Sequence, residues 1–141
     1  MKKYYSFHHI FFLPFYLLAF LLLNACGGKQ DGPTAAQIAA QSAKVYYENL
    51  LKGDYTSFVD GRYQPNPMPS GYRQQLIDNA KMFVAQQNDE HKGIKSIKVT
   101  DAKADTTHHV ANAFLSFTYG DGSKEQVVVP MVESKGVWYM R

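Results

Sequence analysis

Beyond residue 33 the apolar positions follow two different rhythms. From Thr34 to Lys52 they recur at helical spacing: at 100° per residue, Ala35, Ile38, Ala39, Ala43, Val45, Tyr46, Tyr47 and Leu50 share one broad arc. Gln37, Gln41, Lys44 and Glu48 fall opposite. Thr34 can accept hydrogen bonds from the first-turn amides, and Gly53 offers a left-handed stop. Asp54 then caps a short second helix, Tyr55 to Val59. Gly61 to Pro69 carries Pro65, Pro67 and Pro69, a spacing that neither a helix nor a central strand survives. It predicts a stiff surface loop. Ser70 is placed to cap a third helix running to about Asn88, with Tyr72, Leu76, Ile77, Ala80, Phe83 and Val84 on one face. His91-Lys92-Gly93 ends it.

From Ile94 the period changes to two. Ile94 to Ala102 predicts a strand with Ile97 and Val99 on one side. Val110 to Tyr119 alternates cleanly, placing Ala111, Ala113, Leu115, Phe117 and Tyr119 on one face. Gly120-Asp121-Gly122-Ser123 is a hairpin turn. Lys124 to Glu133 follows, with Val127, Val129 and Met131 together, and Pro130 predicting an edge position or a bulge. Ser134-Lys135-Gly136 turns into a last strand, Val137 to Arg141. The expectation is an α+β domain over residues 34–141, with N-terminal helices packed on a four-stranded antiparallel sheet.

The first 33 residues obey neither rhythm. Lys2 and Lys3 precede an uncharged run of 14 residues, Ile10 to Leu23. That is short of the roughly 20 residues a spanning helix needs and fits the apolar region of a secretory signal. Leu23-Asn24-Ala25-Cys26 ends the run. This tetrapeptide resembles the lipobox of bacterial lipoproteins. The resemblance implies a signal peptide over residues 1–25, cleavage before Cys26, and acyl chains on that cysteine as a membrane anchor. Multiple acyl chains make such anchoring effectively stable, at about 0.8 kcal/mol per buried CH₂. Residues 26–33 then form the lipidated cysteine and a flexible tether rich in glycine. In that family a glycine after the cysteine, here Gly27, favours the outer membrane of a Gram-negative bacterium. The periplasmic and surface faces stay open.

Charge and composition exclude several functions. Without Lys2 and Lys3 the 15 Lys and Arg fall to 13, against 12 Asp and Glu, a net charge of +1. With no basic block, no nucleic-acid partner is expected. One cysteine in 141 residues excludes an internal disulfide and a cysteine-based zinc site. No glycine-rich phosphate loop, serine-nucleophile elbow or zinc-helix motif occurs. His108 and His109 are adjacent, so on a strand they point to opposite faces and read as hairpin residues rather than metal ligands. Asp78 and Glu48 fall on polar helix faces, Asp60 precedes the proline loop, and no carboxylate is evident on an inward face. No cofactor, metal or catalytic residue is therefore expected.

The helix stretch Ala43-Lys44-Val45-Tyr46-Tyr47-Glu48-Asn49-Leu50-Leu51-Lys52-Gly53-Asp54-Tyr55, the Gly120-Asp121-Gly122 turn and Lys135-Gly136-Val137-Trp138-Tyr139 together resemble the small lipoproteins of domain of unknown function 4878. These belong to the nuclear-transport-factor-2-like, cystatin-like α+β superfamily. The resemblance implies a curved sheet wrapping a long helix as a cone, often with an apolar pocket. Where many members carry an extra strand or hairpin between the helices, this chain has only the proline loop, which implies a shallower cone. Tyr46, Tyr47, Phe58, Tyr72, Phe83, Phe117, Tyr119 and Trp138 are the candidate pocket-lining residues; filling a core is the alternative use of such side chains. The resemblance also allows a homodimer through the sheet face. The functional expectation is a non-enzymatic outer-membrane lipoprotein binding a protein partner or a small apolar ligand in the cell envelope. An isomerase- or cyclase-type enzyme of the same fold and a structural accessory subunit of an envelope complex are the two alternatives.

Overall fold

A computed structural model describes residues 32–141. The predicted signal segment and most of the tether, Cys26 included, lie outside the described residues. Three helices precede four strands: α1 Ala35–Leu51, α2 Tyr55–Asp60, α3 Ser70–His91, β1 Ile94–Asp105, β2 Val110–Tyr119, β3 Lys124–Ser134 and β4 Val137–Met140. The strands form one antiparallel meander in the order β1-β2-β3-β4.

Local chemistry starts and stops the helices much as the residue types dictate. Thr34 accepts from the Gln37 amide while the Gln37 side chain accepts from the Thr34 amide, a reciprocal capping box. Asp54 accepts from the Ser57 amide at the head of α2. The expected cap of α3 is corrected: Ser70 is the first helical residue, and the cap position is Pro69, which makes no side-chain bond. Its fixed extended backbone sets the entry angle instead. Helix α3 also runs one turn past Asn88, until Lys92 and Gly93 turn left-handed at φ 60° and 79°.

The core lies between α1 and the sheet. Ala39, Ala40 and Ala43 of α1 pack on Ile97, Ala111, Ala113, Leu115, Phe117, Val129, Met131, Trp138 and Met140. The predicted arc of α1 is rotated in the structure. Ala40 is buried, whereas Ile38 and Val45 are exposed. The helix turns its smallest side chains to the sheet because alanine lets two backbones approach where isoleucine would hold them apart.

Strand β1 runs past Ala102 to Asp105, since pairing of Lys103 with Asn112, Ala104 with Ala111 and Asp105 with Val110 satisfies its backbone despite the polar sequence. Register shifts at Ile94/Ser96 and Val99/Asp101 bend this strand. Pro130 is neither in an edge strand nor at a bulge: β3 lies between β2 and β4, and Pro130 pairs in register with Asn112. Its carbonyl accepts from the Arg141 amide, so its missing N–H faces the end of β4 rather than β2. That is where the four-residue β4 runs out, and the ladder to β2 is undisturbed. Beyond β4, Gly61 and Tyr63 exchange backbone bonds with Met140, making Arg62 a parallel bridge along the last strand. The proline loop leaves from this clamp and is largely exposed.

Candidate functional site

Helix α3 covers the core incompletely. Of its 22 residues only Ile77 and Ala80 are buried. Tyr72 is 51% exposed, Met82 69% and Phe83 36%. Where α3 parts from α1 beside α2, a cleft of about 250 Å³ opens, lined by Tyr47, Leu50, Phe58, Val59, Arg62, Leu76, Asn79, Ala80 and Phe83. This is small for a ligand site, below the roughly 300–1,000 Å³ typical of drug-sized ligands.

The cleft follows from the sequence spacing of its walls. Tyr47 and Leu50 are three apart on α1, Leu76, Ala80 and Phe83 share a face of α3, and Phe58 and Val59 come from α2. The Tyr47 ring is wedged between Phe58, at 5.4 Å between centroids, and Phe117 of β2, at 5.2 Å. That joins the cleft wall to the sheet core. Burial pushes the Tyr47 phenol above its ordinary range; the nearby Arg62 charge draws it down by less, and Glu125 pushes it up by less again. The hydroxyl therefore remains a neutral donor and acceptor at physiological pH. Arg62 is the only cation lining the cleft, and Asn79 adds an amide.

Of the eight candidate pocket residues, the structure brings Tyr47, Phe58 and Phe83 into this cleft. Phe117 lies behind Tyr47 in the core. Trp138 is buried in the core, and its carbonyl accepts from the Tyr46 hydroxyl at 2.9 Å. Tyr46 borders a separate shallow groove with Ile38 and Val45. Tyr72 is on the surface. Tyr119 is buried at the end of β2, its hydroxyl donating to Glu125 and its ring 4.8 Å from His91. Burial first, and then the bond to Glu125 and its charge, push the Tyr119 phenol up to about 12. Five of the eight are thus absent from the cleft, because alternation and helical phase identify an inward face without saying which neighbour it meets.

Leu50, Val59, Arg62, Leu76, Asn79 and Ala80 complete the lining and were not singled out from sequence. Leu50, Leu76 and Ala80 were legible as inward positions. Arg62 was not: it lies in an irregular stretch with no period to read.

The remaining polar candidates are engaged with one another. Arg73 grips Asp60 through two bonds of 3.0 and 2.7 Å, turning that carboxylate to α3. Asp78 accepts from Gln74 and Lys81, and Glu48 pairs with Lys44. His108 meets Asp105 at 2.7 Å and His109 meets Glu133 at 3.2 Å, so the two imidazoles serve different carboxylates. Among the described residues no group of three potential metal ligands gathers, and no polar or charged residue is buried. Glu125 shares the strand phase of Val127 and Val129, an inward-phase carboxylate at the strand end that the sequence reading passed over. On the outer sheet face the aromatic residues Phe114 and Tyr139 are half-buried.

No family model matches the chain, and no curated protein does. Among solved structures the chain is similar to a Campylobacter jejuni protein, provisionally named an NTF2-like transpeptidase and determined at 2.00 Å. The TM-score is 0.58 at 12% identity, covering 71% of this chain and 94% of that one. At that identity the likeness carries the fold and not the activity. The helices laid on an open four-stranded antiparallel sheet are thus an NTF2-like, that is nuclear-transport-factor-2-like, fold.

Proposed function

We propose that this chain is a non-enzymatic, lipid-anchored protein of the cell envelope whose domain holds a small, largely apolar ligand in the cleft between α1, α2 and α3. The observation that carries this reading is the cleft itself. The core between α1 and the sheet is filled, and beside it about 250 Å³ stays open among Tyr47, Leu50, Phe58 and Phe83, better enclosed than the wider grooves elsewhere on the domain. Apolar concavities with few polar groups are the usual form of small-molecule sites. The transpeptidase name of the Campylobacter protein is not carried over, since fold alone does not convey chemistry. The sole cysteine is Cys26, whose thiol acylation would consume.

The anchor rests on Leu23-Asn24-Ala25-Cys26 and the 14-residue apolar run before it. With Gly27 following the cysteine, we place the protein at the outer membrane, among lipoproteins like those of domain of unknown function 4878. None of the described helices is long and apolar enough to cross a membrane.

Two measurements test the two halves of this proposal. In the native host, Cys26→Ala is expected to abolish incorporation of a labelled fatty acid and to move the protein out of the membrane fraction. A variant that still carried acyl chains would overturn the anchor. Native mass spectrometry of protein taken gently from its own membrane is expected to show a small-molecule adduct. A bare mass accompanied by a stoichiometric protein partner would overturn ligand binding in favour of the accessory-subunit alternative.

A further inference from the structure

The lining of the cleft is mostly apolar, with Tyr47, Arg62 and Asn79 as its polar-tipped side chains. Arg62 is the only cation lining it, and among the described residues Arg62 has no carboxylate partner. The contrast with its neighbours is informative. Arg73 is spent on Asp60, Lys44 on Glu48 and Lys81 on Asp78, all around the same three helices. Arg62 alone among these borders the cleft with its guanidinium uncommitted.

Its backbone is fixed on both sides. The Arg62 amide donates to the Val59 carbonyl at 3.1 Å, closing the end of α2. The Met140 amide donates to the Gly61 carbonyl at 2.8 Å, and the Tyr63 amide donates to the Met140 carbonyl at 2.7 Å. A guanidinium on a pinned backbone loses less freedom on binding than one on a free loop. Asn79, from α3, supplies a second donor on the lining. The negative charge felt at Tyr47 is that of Glu125, which acts there more weakly than Arg62 and already accepts the Tyr119 hydroxyl.

Resting on the cleft as the ligand site, we infer that its ligand is a small amphipathic anion: an apolar body between Tyr47, Phe58, Leu76 and Phe83, and a carboxylate on Arg62. Arginine suits this role because its planar fork matches a carboxylate with two parallel hydrogen bonds. The volume of about 250 Å³, below the range for drug-sized ligands, is on the scale of a short fatty acid or a small arylalkanoate. Charge-assisted hydrogen bonds are about twice as strong as neutral ones, so the acid should bind on the order of tenfold more tightly than the matching alcohol.

The test uses the full chain in nanodiscs of zwitterionic lipid, with empty nanodiscs as the blank. The probes are 4-phenylbutyrate and 4-phenyl-1-butanol, titrated calorimetrically. The expected result is binding of both, with the acid about tenfold tighter. Arg62→Gln should remove that preference and keep alcohol binding, which also shows that the variant is folded. Arg62→Lys should restore part of the preference. Phe83→Trp, which fills the cleft mouth, should weaken both probes together. Equal binding of acid and alcohol by the unaltered protein would overturn the anion assignment and leave the cleft as an apolar site. A preference that survives in Arg62→Gln would overturn the role of Arg62. If neither probe binds, or if Phe83→Trp leaves both untouched, the cleft itself is not the site and both readings fall.

Discussion

The two long helices of this domain meet the rest of the molecule in opposite ways. Helix α1 lays Ala39, Ala40 and Ala43 against the sheet, and each is essentially fully buried. Helix α3 is longer but more polar, and buries only Ile77 and Ala80. Small side chains allow close approach and a dry, filled contact. On α3, Tyr72, Met82 and Phe83 stay exposed, and the cleft opens where this helix and α1 part. The more apolar helix is the closely packed one, and the room for a ligand lies beside the more polar helix, where packing is incomplete.

The difference is open to direct attack. Leu115 is 0% exposed at the centre of the α1–sheet contact, and Leu115→Ala should destabilise the domain by about 3 kcal/mol in urea titration. Phe83→Ala, on the α3 side, should cost about 1 kcal/mol or less. Equal losses would show that α3 belongs to the same close-packed body as α1, and the contrast would collapse.

Gly61→Ala probes how tightly the near side is packed. Gly61 has an ordinary helical backbone, so its need is for space: an added Cβ would run into the Tyr46 ring. Moving that ring breaks the bond from its hydroxyl to the Trp138 carbonyl. The expected loss is about 1–3 kcal/mol, with a change in tryptophan fluorescence as Trp138 is disturbed. An unchanged melting temperature would mean that α1 and α2 have slack.

The smallest effect is at the far end of α3, which polar contacts hold in place of burial. His91 Nδ1 lies 3.0 Å from Asp121, and the Asp121 amide donates to the His91 carbonyl. The Asp121 carboxyl is held at about 2, below its ordinary 3.8, first by the Ser123 hydroxyl and then by His91. A depressed carboxylate adds stability above its unfolded value and loses it as pH falls toward its folded one. The melting temperature should therefore decline from about pH 4 to about pH 2, with the decline reduced in Asp121→Asn. A variant with the same acid profile would remove this contact from the account of how α3 is held.

Much of the fold was legible in residue patterns, for identifiable reasons. The capping box at Thr34 and Gln37 and the Asp54 cap are made by residues at most three apart, so local sequence suffices. The alternation in β2 from Ala111 to Tyr119 is obeyed without exception. The continuation of β1 to Asp105 was not legible, because its polar residues form strand only where β2 offers partners. Pro130 misled for a related reason: its effect depends on which neighbour its missing donor faces.

The candidate site divides along the same line. Tyr47, Leu50, Phe58, Leu76, Ala80 and Phe83 announce inward or aromatic character through spacing and residue type. Whether such a residue fills a core or borders a void depends on the separation of two helices, to which residues distant in sequence all contribute. Arg62 reaches the rim only because Gly61 and Tyr63 are bonded to Met140, more than 70 residues away in the chain. Sequence alone determined the elements, their inward faces and the motif at Cys26, since these follow from short-range periodicity and from residue chemistry. Tertiary structure decided which inward faces close on each other, because packing is set by the sizes of side chains that meet across the fold.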